Sequence, residues 1–407
     1  MKLLLILRLY SHFATTIKEE QWRPKGMPAV YKLIEILNEK GINTDVIFIS
    51  RDEKDDIRKY HKLKFNQLNN INFFIFPFYK PLIPGLTYLK IRHIINTFWL
   101  LSKNKYDLIY CDRVNVEYGG LFSRLGYKVL LRLHGVAYLY ENLKPFKKYG
   151  IPSMEYFLGY RAPFKAVLCT KDGSPGYHFI NKFMRNSLKT NLMLSGADID
   201  KNSKAIFDIK EKYNLGPKIK IIMTTGRLSF DKAPDLFIKS MIQLNRLNKN
   251  YFAVLIGDGP MRQDLENSVK KAGLENKIIF FGRLDHSLIL PLLQQADIFV
   301  SLNMCGNLSN AVLEAIHTGK CIITLDHCTE TKRDEHVKIK EVREALILID
   351  RNMIIEKLPS KINELINNTN LINQKSKAVK TLGEKYLISW GERINNEIDF
   401  IEELAKA

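Results

Sequence analysis

The chain has 407 residues, 46% of them hydrophobic and 26% charged, which is enough for two ordinary domains with packed cores and too apolar for a disordered chain. Its net charge is +19. Residues 1–197 hold 31 Lys and Arg against 15 Asp and Glu, whereas the remainder holds 31 against 28. A first half with a net charge of +16 points to an anionic partner, for which a membrane surface, a lipid phosphate or a nucleic acid qualifies. Cys111, Cys169, Cys305, Cys321 and Cys328 fit no zinc or redox spacing, and several read as buried, reduced thiols, in keeping with a cytoplasmic place. No stretch approaches the roughly 20 apolar residues of a membrane span, so a membrane role would be peripheral. The opening apolar run is interrupted by Arg8 and His12 and reads as a first strand rather than a leader.

In chain order, residues 2–9 read as a buried strand. Pro28 opens a helix in which Val30, Leu33, Ile34 and Leu37 recur at helical spacing, and Gly41 ends it. A strand over 44–50 completes a strand–helix–strand unit, the element of a parallel sheet. Asp52, Asp55 and Asp56 read as the solvated face of a Lys-rich helix. Phe73, Phe74, Phe76, Phe78 and Tyr79 beside Lys80 suit an interfacial contact or a core strand over 72–78 equally well. A mostly apolar helix follows over 91–101, a strand over 106–111 and a helix over 116–125. The strand over 128–133 ends in His134-Gly135. Ligands gather at the carboxyl ends of strands in open α/β sheets, which puts His134 in position for chemistry, although a lone His is as often structural. Strands over 165–170 and 191–195 lead to Ser195-Gly196-Ala197-Asp198, a turn and the expected domain boundary.

A helix over 204–213 precedes a second alternating series. Strands are expected over 220–225, 252–256, 277–281 and 298–302, with helices over 234–247, 261–272 and 288–295, so this half is a doubly wound α/β domain. Residues 301–325 then read as a strand end, a small-residue loop, a short helix stopped by Gly319 and another strand. Asn307, Ser309 and Asn310 crowd the helix entrance, where free N–H groups and the helix dipole suit an anion. Glu314, one turn in, is either placed to accept from a diol such as ribose or simply solvated. Arg227 and Lys232 follow the first strand of this series, where a guanidinium fork and an ammonium can grip a diphosphate. Together these features describe a nucleoside-diphosphate site. No GxxxxGK[ST], GxGxxG or HExxH pattern is present, which disfavours kinase, dehydrogenase and zinc-hydrolase chemistry. The tail over 352–407 is helical, with Trp390 ahead of a periodic Ile394, Ile398, Ile401 and Leu404.

The ordered motifs are Gly226-Arg227-Leu228 with Lys232, Gly257-Asp258-Gly259-Pro260, Ile279-Phe280-Phe281-Gly282, Ala296-Asp297-Ile298-Phe299-Val300-Ser301, and Asn310 through Glu314 to Gly319. In that order they resemble glycosyltransferase family 4, the group 1 glycosyl transferases. The resemblance implies an α/β chain of GT-B fold, with two Rossmann-like domains facing across a cleft, and retaining chemistry with no metal and no cofactor. It implies an acceptor-side domain over 1–197, to which a helix over about 386–407 returns, and a donor-binding domain over 198–385. His134-Gly135, the turn at 195–198 and Gly26 are similar to family landmarks of the first half. Carried over by resemblance, Arg227 and Lys232 hold the donor diphosphate, and the N–H groups of Asn307, Leu308, Ser309 and Asn310 add to that hold. Glu314 binds the ribose, Arg283 and Leu284 flank the base, Gly26 belongs to the donor side, and His134 orients donor or acceptor. The implied partners are a UDP- or GDP-sugar and a glycan or lipid-linked acceptor, at a peripheral place on the inner face of the cytoplasmic membrane, with no nucleic acid. Two departures stand out. The family's second carboxylate, eight positions before Glu314 and in contact with the transferred sugar, is replaced by Gly306, and Lys25-Gly26-Met27 lacks the first Gly of the family's loop. A degenerate binding subunit and a sugar-nucleotide epimerase are the alternatives. The epimerase needs strand-end carboxylates in the first half, for which Asp107 and Asp112 are the residues available.

Overall fold

Runs of apolar residues too short for helices build two separate sheets. The computed structural model describes residues 1–24, 26–51, 55, 57, 59–78, 91–143, 151–185, 188–197 and 207–407. The first sheet contains β1 (Lys2–Arg8), β2 (Asn43–Ile49), β3 (His61–Leu63), β4 (Ile71–Phe76), β5 (Leu108–Asp112), β6 (Val129–Leu133), β7 (Ala166–Lys171) and β8 (Lys189–Leu194). Its order is β3-β4-β2-β1-β5-β6-β7-β8, and β3 alone among these strands runs antiparallel to its neighbour. Leu3, Leu5 and Leu7 enter one core while Leu4 and Ile6 enter another, the alternation of a strand buried on both faces. The strand β3 has two exposed residues of three, so no apolar run marks it in the sequence.

The second sheet contains β9 (Lys220–Thr225), β10 (Tyr251–Ile256), β11 (Ile278–Gly282), β12 (Ile298–Ser301), β13 (Cys321–Leu325) and β14 (Ile347–Ile349). Its order is β11-β10-β9-β12-β13-β14, parallel throughout. The chain moves one way from β9 and the other way from β12. The gap between these two strands is therefore a topological switch point, where the loops diverge and leave a crevice at the carboxyl edge.

By packing, one compact unit comprises Met1–Lys171, Gly176–Ser195 and Trp390–Ala407, and the other comprises Asp172–Pro175 and Gly196–Ser389. The terminal helix Trp390–Lys406 joins the first unit because Trp390, Ile394, Ile398, Ile401 and Leu404 share one core with Leu33 and Leu37 of the helix Pro28–Glu39. Beneath it lies a buried charge cluster. Glu397 accepts from the Tyr110 hydroxyl at 2.6 Å and from Arg393, and the Arg132 Nε lies 3.3 Å from it. Burial opposes its charge, but Arg393 and Arg132 hold the Glu397 carboxyl below its usual range. Stranding such a cluster by removing one partner costs roughly 3–5 kcal/mol.

Several expectations are corrected here. Phe73, Phe74 and Phe76 are buried in the core, so they make no interfacial contact; Tyr79 and Lys80 lie outside the described residues. Asp55 is buried and accepts from the Ser50 hydroxyl at 2.8 Å, so it belongs to no solvated face; Asp52 and Asp56 lie outside the described residues. The helix expected over 204–213 is seen as Ile209–Lys212, and its first residues, like Asp198, lie outside the described residues.

Candidate functional site

The carboxyl end of β9 opens into a small pocket lined by Thr224, Thr225, Gly226, Arg227, Lys232 and, from the end of β12, Leu302. Arg227 is exposed and has no ion-pair partner among the described residues. Lys232 is half-buried, 3.4 Å from the Asp231 carboxylate. Burial opposes the charge on Asp231, yet the Ser229 hydroxyl at 2.6 Å and the Lys232 ammonium hold its carboxyl below the usual range. The loop is braced from below by the Gly257–Pro260 turn. Leu228 N–H donates to Asp258 C=O at 3.0 Å, and Met261 N–H donates to Leu228 C=O at 3.1 Å. A Cβ on Gly257 would fall 1.8 Å from the Gly226 oxygen, so this motif is a packing requirement of the Arg227 loop. On the other side, Met304 N–H donates to Asp231 C=O at 2.8 Å and ties the loops after β9 and β12 together.

The loop after β12 is closed on itself. Asn307 is fully buried; its side-chain oxygen accepts from Ser301 and from Asn303 N–H, and its amide nitrogen donates to Asn303 C=O and to Asp334. Its backbone N–H donates to Asp334 Oδ1 at 2.6 Å, and Leu308 N–H donates to Asp172 C=O at 3.1 Å. The expectation that the N–H groups of Asn307 and Leu308 serve a phosphate is therefore corrected: both already have protein acceptors. The N–H groups of Ser309, Asn310 and Ala311, at the start of the helix Asn310–His317, have no acceptor among the described residues. Asp334 is itself paired with Arg351, and burial raises its carboxyl to about 6.

Gly306 has a steric reason to be glycine. Its φ is 143°, and a Cβ there would lie 2.6 Å from three backbone atoms of Asp172, Gly173 and Ser174. The segment Asp172–Pro175, which belongs to the same unit, fills the space a side chain at 306 would need.

Glu314 is 5% exposed, so the solvated reading does not hold. Its Oε1 is 2.8 Å from Nε2 of His286, an exposed side chain on the segment that follows Arg283 and Leu284. Sequence reasoning missed His286, which lies 28 positions from its partner on another element. Arg283 is exposed, and Leu284 packs partly onto the core beside Phe281. Among the described residues no three His, Cys, Asp or Glu side chains gather to hold a metal.

In the first unit, His134 follows β6 as expected and is half-buried. Arg132 donates to the Thr170 hydroxyl at 2.8 Å, and that oxygen lies 3.4 Å from His134 Nδ1. Burial, together with Arg132, Arg113 and Arg393, pushes the His134 pKa well below its usual value, so the ring is neutral. Gly26 and Met27 take left-handed φ values of 74° and 51° just before the helix Pro28–Glu39; Lys25 lies outside the described residues. Asp107 accepts from Lys2 N–H at 2.7 Å, and buried Asp112 accepts from the N–H groups of Arg8 and Asn115, so both strand-end carboxylates hold backbone rather than await a substrate.

Known proteins bear on these features. Residues 205–381 match the family described as glycosyl transferases group 1. A Campylobacter jejuni relative, GalNAc-alpha-(1->4)-GalNAc-alpha-(1->3)-diNAcBac-PP-undecaprenol alpha-1,4-N-acetyl-D-galactosaminyltransferase, is 28% identical over 160 residues, 37% of this chain and 42% of its own. Protein CapJ of Staphylococcus aureus is 25% identical over 236 residues, 56% of this chain and 58% of its own. The chain thus spans about half the length of these curated relatives. The crystal structure of Anabaena HepE in complex with UDP and glucose superposes with a TM-score of 0.66 at 17% identity, covering 100% of both chains. The fold of this chain is GT-B, with two Rossmann-like domains, in keeping with one mainly parallel and one wholly parallel sheet. Residues 205–381 thus form a domain that matches the group 1 glycosyl transferases.

Proposed function

We propose that this protein transfers a glycosyl group from a nucleoside-diphosphate sugar to a glycan or lipid-linked acceptor, with retention of anomeric configuration and without a metal. The observation that carries the reading is the pairing of Arg227 and Lys232 in one pocket at the β9–β12 switch point, beside loops tied to the open helix start at Ser309–Ala311. Negative charge grows on the diphosphate as the glycosidic bond breaks. A guanidinium fork, an ammonium and helix N–H groups fixed in advance stabilise that charge without reorganising. Glu314, buried and oriented by His286, has a second carboxylate oxygen to accept from a ribose diol. Arg283 and Leu284 flank the base, and neutral His134 orients donor or acceptor. HepE was solved with UDP and glucose, and the Campylobacter relative is named for a polyprenol-diphosphate-linked glycan. Both favour a UDP-sugar and a lipid-linked acceptor as the first to be tried, at the cytoplasmic face of a membrane, where the +16 of residues 1–197 meets anionic lipid.

One observation favours a second reading, a donor-binding subunit without transfer: position 306 has no room for a carboxylate over the sugar. Incubation with a panel of UDP- and GDP-sugars, read by thermal stabilisation and by hydrolysis, separates the two. Stabilisation with turnover supports the enzyme, stabilisation alone supports the binding subunit, and neither overturns both.

A further inference from the structure

The helix Ile91–Lys103 is apolar on both faces. His93, Thr97, Leu100 and Leu101 face inward and are buried, whereas Ile91, Ile95, Phe98 and Trp99 recur at helical spacing on the outside and are exposed, Ile95 by 59% and Trp99 by 56%. Clustered large apolar side chains left exposed mark an interaction surface. The patch continues beyond the helix: the Phe98 ring packs edge-on against buried Phe122 at 5.4 Å, and Phe122 packs against Tyr127 at 6.1 Å, beside exposed Leu125. Along this stretch of chain the exposed charge has one sign. From Ile91 to Lys128 the exposed charged residues are Arg92, Lys103, Lys105, Arg124 and Lys128, while Asp112 and Glu117 are buried and Asp107 is half-buried against Lys2 N–H. Lys103 also sits 6.0 Å from the centre of the Trp99 ring, at the apolar edge.

We propose that this face is the surface by which the protein docks on an anionic lipid bilayer. The occupant follows from the charge. A second copy would bring two basic rims together, which repels, whereas anionic headgroups neutralise the rim while the acyl boundary takes Ile91, Ile95 and Phe98. An exposed Trp beside a Lys suits the headgroup level, where an amphipathic ring has one end apolar and one end wet. The proposal rests on the membrane part of the reading above, and its test reads vesicle binding rather than turnover, so its failure leaves glycosyl transfer standing.

The protein carries its own reporter. Of its three tryptophans, Trp22 and Trp390 are 8% and 4% exposed, so a change in emission on docking comes from Trp99. Vesicles of phosphatidylglycerol in phosphatidylcholine are expected to shift the emission to the blue and shield it from acrylamide. Pure phosphatidylcholine should do so far less, and added salt should weaken the effect. Trp99→Phe should lose the shift and keep co-sedimentation. The double variant Ile95→Ser/Trp99→Ser should lose roughly tenfold or more in vesicle affinity with an unchanged melting temperature, since both side chains are exposed. Arg92→Glu/Lys103→Glu should lose binding to anionic vesicles as an independent check. Absence of a shift, or equal vesicle binding by the Ile95/Trp99 variant, overturns the proposal. A blue shift on concentrating the protein without vesicles, with a dimer in sedimentation velocity, overturns it in favour of a second copy.

Discussion

Two loops meet at the switch point of the second sheet, and they are built in opposite ways. Residues 226–232 present charge: among the described residues Arg227 has no ion-pair partner, and Lys232 has one half-exposed carboxylate neighbour. Residues 302–309 present almost none, because Asn307, Asn303, Asp334 and the backbone of Asp172–Ser174 satisfy one another. Side chains whose hydrogen bonds are complete hold shape, and side chains whose charge is open hold ligand. On the proposed reading, the first loop is the gripping half of the site and the second its scaffold.

That division is breakable, and the largest expected effect falls on the open loop. Arg227→Ala should lower kcat/KM for transfer by roughly a hundred- to a thousandfold while leaving the melting temperature in place. Lys232→Ala should lose less, because its ammonium already shares Asp231. Equal turnover would remove the gripping role from this loop. The scaffold loop should respond in stability instead. Gly306→Ala is expected to cost roughly 1–3 kcal/mol from overpacking, with about 1 kcal/mol more from its left-handed backbone, read by denaturant titration. A Gly306→Glu variant that is as stable as the natural chain and transfers faster would show that residues 172–174 give way and that the loop is no fixed scaffold.

Smaller effects sharpen the boundary between the halves. Glu314→Ala should weaken nucleotide binding by roughly ten- to a hundredfold, and His286→Ala by about threefold, since His286 acts only by orienting the carboxylate. Calorimetry checks the ratio, and a His286 loss as large as that of Glu314 would mean that the ring itself touches the nucleotide. The smallest effect is one of pH. Burial raises Asp334 to about 6, above the ordinary value of 3.8, so the folded chain holds a proton there that the unfolded chain releases. This contribution to stability is therefore largest at low pH and is lost as pH rises through about 4 to 6. The margin of the natural chain over Asp334→Asn, measured by thermal melts, should widen as pH falls from 7 to 5; a constant margin would mean that Arg351 keeps Asp334 ionised throughout.

Strands β9 to β13 of the second sheet were legible because strand, turn and helix alternate, with Gly closing β9, β10 and β11, and local spacing carries that pattern; the three-residue β14 was too short to show. The place of Arg227 and Lys232 at a strand's carboxyl end was legible for the same reason: a position after a parallel strand is an address. The filled N–H groups of Asn307 and Leu308 were not, since their acceptors, Asp334 and Asp172, stand 27 positions downstream and 136 upstream and enter no local pattern. Gly306 shows the same limit. Its resemblance-based reading is a lost carboxylate, whereas its physical setting is a backbone crossing that admits no side chain. The aromatic run at Phe73–Phe76 was ambiguous because a strand buried on both faces and an interfacial stripe share one composition, and only the partners of β4 decide between them.

The central claim is that the Arg227–Lys232 pocket binds a nucleoside diphosphate, and the most direct test is calorimetric titration of UDP and GDP into the natural chain and into Arg227→Ala. The account predicts saturable binding of at least one nucleotide to the natural chain, weakened by roughly tenfold or more in the variant with an unchanged melting temperature. Equal affinity in the two proteins would contradict it.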